Sequence, residues 1–159
     1  MYPFVFDVPD LAAHPDVAVP GIATAQIAAF AHEITCYDSL EAYEAEQDGE
    51  EVPFASQSFI PSGLFSASAG SPAQPPQPYA LFTGHVVEAK EKKSVATGRA
   101  FHWVLVDILG GQYDVVIDPE LLPRAPRPGG ILSGTFWLTG RLLDFPSRKP
   151  GWLGRLFGR

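Results

Sequence analysis

The clearest pattern in the chain runs from Pro128 to Leu142, through Gly-Gly-Ile-Leu-Ser-Gly-Thr-Phe-Trp-Leu-Thr-Gly-Arg. Leu132, Phe136, Leu138 and Leu142 fall on one side of a two-residue period, and Ser133, Thr135, Trp137, Thr139 and Arg141 fall on the other. Such alternation predicts a strand with one apolar face. Gly134 and Gly140 interrupt the apolar side, where a missing side chain lets a strand bend or another backbone come close. A long strand with an apolar inner face and glycine bends is what a small closed barrel needs. This run is read as the strand on which a barrel closes.

Upstream of it the pattern predicts strands over 79–89, with Gly84 inside, and over 101–109 and 112–118. The last two flank Gly110-Gly111, a two-residue hairpin signal. Residues 90–98, rich in Lys and Glu, read as a charged loop. The four prolines between 119 and 128 make a rigid crossing with room for a helical turn around Glu120, Leu121 and Leu122. The front half is less regular. In 25–37, Ile27, Phe30 and Ile34 stand at helical spacings of three and four, but His32-Glu-Ile-Thr-Cys-Tyr37 is rich in strand formers. The reading is a strand over 28–37. Asp38 with Glu41 three residues later marks a helix start, Gln47-Asp-Gly49 marks its end, and 54–60 is a second strand. Tyr2, Phe4 and Phe6 alternate as a short edge strand would.

This order of elements assigns the chain to the mainly β class, with an α+β flavour. Strand, loop, hairpin, crossing and long bent strand over 79–144 resemble an OB-like small β-barrel, a five-stranded Greek-key architecture. Four strands are evident there, and the fifth is expected from within the long strand or from the front half. The domain reading is an acidic β-α-β part (1–65) packed on the barrel, a Pro/Ser-rich connection (66–78), the barrel (79–144) and a basic aromatic tail (145–159), all one compact unit. Sixteen prolines and fifteen glycines among 159 residues argue for turns and short strands over a helical bundle.

Charge divides the chain sharply. Residues 1–77 carry eleven acids and no Lys or Arg, 78–144 balance seven against seven, and 145–159 carry four bases and no acid, for a net −7. An acidic field of this kind opposes polyanions, so nucleic acid is disfavoured as a partner. The lone Cys36 leaves no internal disulfide, and neither a signal peptide nor a membrane-spanning run is read from the sequence. A cytoplasmic location is expected.

Chemistry is sparse. No nucleophile turn, phosphate loop or dinucleotide fingerprint occurs. His14, His32, His85 and His102 are scattered, with His32 and Cys36 the one close His/Cys pair, so neither a metal site nor a cofactor is expected. Asp107, Asp114 and Asp118 on or beside the hairpin are the carboxylates that can converge. Trp137 and Arg141 share the polar side of the long strand. With Trp103, His102 or Tyr113 they would make an aromatic and cationic platform able to stack bases or sugar rings. Lys90, Lys92, Lys93 and Arg99 form a basic cluster beside it. In the tail, Arg148, Lys149, Trp152, Leu153, Arg155, Leu156 and Phe157 mix cations with large apolar groups. They are expected to dock on the acidic half of the chain or of a second copy, giving a protein partner and a route to a homo-oligomer.

The functional expectation is a non-enzymatic binding or assembly module that uses the barrel face and the tail. Two alternatives stand beside it. One is a small-ligand protein or enzyme with a pocket between the halves near Asp107, Asp114, His102 and Trp103. The other, against the charge, is single-stranded nucleic-acid binding.

Overall fold

A computed structural model describes residues 3–13, 17–48, 53–62 and 75–144. Its strands, among these residues, are β1 (Ala25–Tyr37), β2 (Ser58–Pro61), β3 (Tyr79–Lys93), β4 (Ala100–Ile108), β5 (Gly111–Ile117) and β6 (Ile131–Leu142). A helix, α1 (Leu40–Glu46), follows β1, and single 3-10 turns cover Leu11–Ala13 and Pro119–Leu121. None of the helices among the described residues is long and apolar enough to cross a membrane.

The long C-terminal strand does close a barrel. β3, β4 and β5 form an antiparallel meander, β5 pairs in parallel with β1, β1 pairs antiparallel with β6, and β6 returns antiparallel to β3. β6 keeps both edges occupied, by β1 along its whole length and by β3 from Ile131 to Trp137. β3 is long enough to serve two neighbours, β6 along Tyr79–His85 and β4 along Gly84–Lys93, with a register shift between Val86 and Glu88. That irregularity bends the strand as a β-bulge does. β2 takes the edge of β3 that β4 leaves open, pairing Ser58–Pro61 with Thr83–Ala80.

The missing fifth stave therefore comes from the front half. Integration is closer than packing on a finished barrel: β1 lies between β5 and β6, and β2 extends β3. β1 also explains its own misleading periodicity. Ile27, Ala29 and Ala31 face inward opposite Gly140, Leu138 and Phe136; after the shift at His32 the inward set becomes Ile34 and Cys36, opposite Gly134 and Leu132. One extra residue changes the parity of a strand, so Ile27 and Ile34 end seven apart, a helix-like spacing. Phe30, counted on the same helical face, points outward and is exposed.

Both glycines of β6 answer to a neighbour. A Cβ on Gly134 would collide with the Glu33 carbonyl oxygen just beyond the bulge, and one on Gly140 would sit 2.8 Å from the Phe6 ring. Phe6 arrives on an N-terminal strap that takes over the β6 edge where β3 has ended. The Asp7 N–H donates to the Leu138 carbonyl (3.0 Å), and the Gly140 N–H donates to the Asp7 carbonyl (2.7 Å). In place of the edge strand suggested by Tyr2, Phe4 and Phe6 there is one parallel bridge, Asp7 to Thr139; Tyr2 lies outside the described residues.

The interior is filled. Phe82 stacks on Phe136 at 3.7 Å between ring centroids, and Phe59 meets Phe4, Phe82 and Tyr113 at 5.2, 6.4 and 5.8 Å. Around them Ala29, Ala80, Val86, Val104, Val106, Ile108, Val115, Ile117, Leu132 and Leu138 complete one buried cluster. Each large apolar side chain so buried stabilises the fold by about 1.5–3 kcal/mol. Space for a ligand must then be sought outside the barrel.

Local expectations fared unevenly. The helical turn after Asp118 is present, with the Asp118 carboxylate accepting from the Glu120 N–H at 3.0 Å. The cap of α1 is Ser39, whose Oγ accepts from the Ala42 N–H, while Asp38 instead pairs with Arg124 at 2.8 Å. The hairpin turns at Leu109-Gly110, because Gly111 is already paired with Ile108. Charged residues 90–93 continue β3, since Lys90 and Lys92 find partners opposite in Trp103 and Phe101.

Candidate binding face

Alternation along each stave sends every second side chain outward, and pairing aligns those side chains into rows across the wall. One row is aromatic: Tyr79 on β3 stands opposite Trp137 on β6, which stands opposite Phe30 on β1. All three are well exposed, at 41, 37 and 39%. The Phe30 and Trp137 rings lie 5.7 Å apart. The indole N–H of Trp137 donates to the Asp7 carboxylate at 2.8 Å, which fixes the plane of the ring.

The next outward rows along the strands are polar. Asp114, Ala28 and Thr139 are in register across β5, β1 and β6, and Gln26 faces Arg141. Arg141 donates from Nε (3.1 Å) and Nη2 (2.8 Å) to the Gln26 side-chain oxygen. The Gln26 amide nitrogen donates to Asp114 Oδ2 (3.1 Å), and the Trp103 indole N–H donates to Asp114 Oδ1 (2.8 Å). A hydrogen-bonded chain thus crosses four staves, from Arg141 on β6 to Trp103 on β4. Every donor in it points toward the carboxylate, so the orientation of the Gln26 amide is dictated from both ends. An open groove of about 410 Å³ follows this chain, lined by Gln26, Ala28, Asp114, Thr139, Gly140 and Arg141, with Pro9 and Asp10 of the N-terminal strap as its wall.

Of the residues singled out from the sequence, Trp137, Arg141 and Trp103 all reach this outer wall, and Arg141 and Trp103 belong to one chain of hydrogen bonds. His102 and Tyr113 do not join them. His102 is buried, alternating with Val104 and Val106 on the core side of β4. Tyr113 points inward between Phe59 and Phe82, at 5.8 and 6.1 Å, and burial raises its pKa above the ordinary phenol value. Adjacent residues on a strand face opposite ways, so His102 and Trp103 cannot share a platform.

The three hairpin carboxylates likewise serve separate duties. Asp107 accepts from the Gln57 amide at 2.9 Å, Asp114 holds Gln26 and Trp103, and Asp118 caps a turn. Of the basic cluster, Lys92 stands 4.0 Å and Lys90 5.6 Å from the centroid of the Trp103 ring. Lys90 also pairs with Glu88, and Arg99 approaches Asp118 at 3.8 Å. Among the described residues no three His, Cys, Asp or Glu side chains gather as a metal ion would require. The tail residues Arg148, Lys149, Trp152, Leu153, Arg155, Leu156 and Phe157, His14 and most of the 66–78 connection lie outside the described residues.

Sequence reasoning missed Gln26 and Asp7. Gln26 carries no motif, and its role depends on parallel pairing of β1 with β5, which joins segments 88 residues apart. Asp7 reaches Trp137 across 130 residues. A second open pocket, between α1 and the segment from Pro53 to Ser56, lies away from this wall. Protein-family models, curated protein sequences and solved structures were compared with the chain, and none matches.

Proposed function

We propose that this protein is a non-enzymatic binding or assembly module whose recognition surface is the outer wall formed by β4, β5, β1 and β6, with the start of β3 at its margin. The observation that carries this reading is the pairing of an exposed aromatic row, Tyr79, Trp137 and Phe30, with the oriented polar chain from Arg141 to Trp103. Exposed aromatic groups, Trp137 among them with its plane fixed by Asp7, beside a few convergent polar groups are the makings of a recognition site. A filled interior directs a ligand to the outer surface, and the wall combines aromatic and polar groups there.

The barrel is read as OB-like with its last strand moved to the front of the chain. Counting from β3, the ring of β3, β4, β5, β6 and β1 ends on a strand that runs parallel to the third of the count, β5. OB barrels present their second and third strands to ligands. In this count those are β4 and β5, which contribute Trp103 and Asp114. The basic aromatic tail follows β6 directly, and in this reading it adds a protein contact, to self or to another chain. The module would work in the cytoplasm.

Affinity capture tests the reading. Partners recovered by the full chain are compared with those recovered by Trp137→Ala, by Arg141→Ala and by a chain ending at residue 145. Loss of the same partner in both wall variants is the expected result. Identical partners from all four proteins would discard both the wall and the tail as recognition elements.

A further inference from the structure

We infer, resting on the wall being a recognition surface, that the groove beside Arg141 accepts a neutral carbohydrate, a short oligosaccharide in particular. Three features narrow the ligand class to this one.

The first is charge. Among the described residues the groove carries the Arg141 guanidinium and the Asp114 carboxylate, with Asp10 on its wall, in a chain with a net charge of −7. A polyanion meets repulsion from the Asp114 carboxylate and from the field of the whole molecule. A cation meets Arg141 on the groove floor. A neutral ligand avoids both penalties, provided it can donate and accept hydrogen bonds together, as a hydroxyl does.

The second is the state of the backbone. At the groove β1 pairs with β6 and, over Ala28–Phe30, with β5; the other edge of β6, which β3 leaves after Trp137, is taken at Leu138 and Gly140 by Asp7 of the strap. An extended peptide binds a sheet chiefly by adding a strand to a free edge, and over Ala28–Phe30 and Leu138–Gly140 those edges are taken. Recognition must come from side chains standing on the face.

The third is the layout of those side chains. Asp114 offers acceptor capacity, Arg141 and the Gln26 amide offer donors, and the small side chain of Ala28 leaves the floor between them low. The polar groups are held in place before any ligand arrives, which lowers the ordering cost of binding. Trp137 and Phe30, both well exposed, stand two residues, about 7 Å, along the strands from Thr139 and Ala28, and four residues from Arg141 and Gln26. A pyranose has hydroxyls round its rim and an apolar C–H face, so it can hydrogen-bond in the groove while a neighbouring ring lies against the indole. The volume of about 410 Å³ falls within the range of sites for ligands of this size.

The test is a titration of the full ¹⁵N-labelled chain with cellobiose, maltotriose and triacetylchitotriose. The readouts are the Gln26 side-chain amide, the Arg141 Nε–H and the indole N–H signals of Trp103 and Trp137. At least one probe should move these signals at millimolar or lower concentration. Arg141→Ala and Gln26→Ala should each weaken the apparent Kd about tenfold or more with the amide spectrum still dispersed, while Val95→Ser at the exposed β3–β4 tip should bind unchanged. The proposal is overturned if none of the probes moves the groove signals, or if both groove variants bind as the parent does. Movement of the same signals by a dodecathymidylate single strand alone, or by a captured protein alone, overturns the carbohydrate while leaving the wall as a recognition surface.

Discussion

Gly134 shows how tightly single residues are set in this barrel. Its missing side chain faces the Glu33 carbonyl oxygen, and the collision a Cβ would create is with backbone, which cannot swing aside. Gly134→Ala should therefore lower stability by roughly 2 kcal/mol, read as a drop in the urea midpoint. Thr135→Ala next to it, on the outer side, should stay within about 0.5 kcal/mol. Two titratable groups make a second prediction. Burial raises the Cys36 thiol, with Asp38 adding to the effect and Arg124 opposing it, and burial raises Tyr113. The unfolded chain ionises these groups at their ordinary values, about 8.5 and 10, before the folded chain does. Their contribution is thus complete below those values and is lost as pH rises through the folded ones. Tyr113→Phe keeps the ring against Phe59 and Phe82, so its urea midpoint should fall less than the parent's between about pH 9.5 and 11.

At the scale of elements, the seam between β1 and β6 is the informative feature. These neighbours come from opposite ends of the described chain, and a side-chain clasp stands where a hairpin loop would join them. The Asp144 carboxylate accepts from the Thr24 N–H (2.7 Å) and hydroxyl (3.2 Å), and the Leu143 N–H donates to the Thr24 carbonyl (2.8 Å). Asp144→Ala should cost about 1 kcal/mol and speed amide exchange at the start of β1, with little change in β4 and β5. The seam was also the hardest part to read. The alternation of β6 was plain from Leu132, Phe136 and Leu138, but the inward set of β1 changes parity at His32, and no local signal announces a bulge whose cause is the strand opposite.

On the scale of the whole molecule, β1 decides what counts as a folding unit. The segment 79–144 carries the strongest strand signals, yet without β1 it leaves one edge of β5 and one of β6 unpaired. Expressed alone, 79–144 should give a poorly dispersed amide spectrum and associate through those edges; a chain spanning 1–144 should give a dispersed one. A well-dispersed, monomeric 79–144 would show that four staves suffice. The acidic front half thus belongs to the barrel, and its carboxylates at Asp7 and Asp10 border the same wall as Trp137 and Arg141.

The sequence by itself determined the β class, the closing role of β6 and the outward position of Trp137 and Arg141, because all three rest on a period of two that neighbouring residues enforce locally. The tertiary structure alone decided that β1 completes the ring, that Trp103 reaches Arg141 through Asp114 and Gln26, and that His102 and Tyr113 turn inward. Those outcomes depend on pairings between segments far apart in the chain, whose registers are chosen by how the filled interior closes. Composition, periodicity and spacing carry no record of that choice.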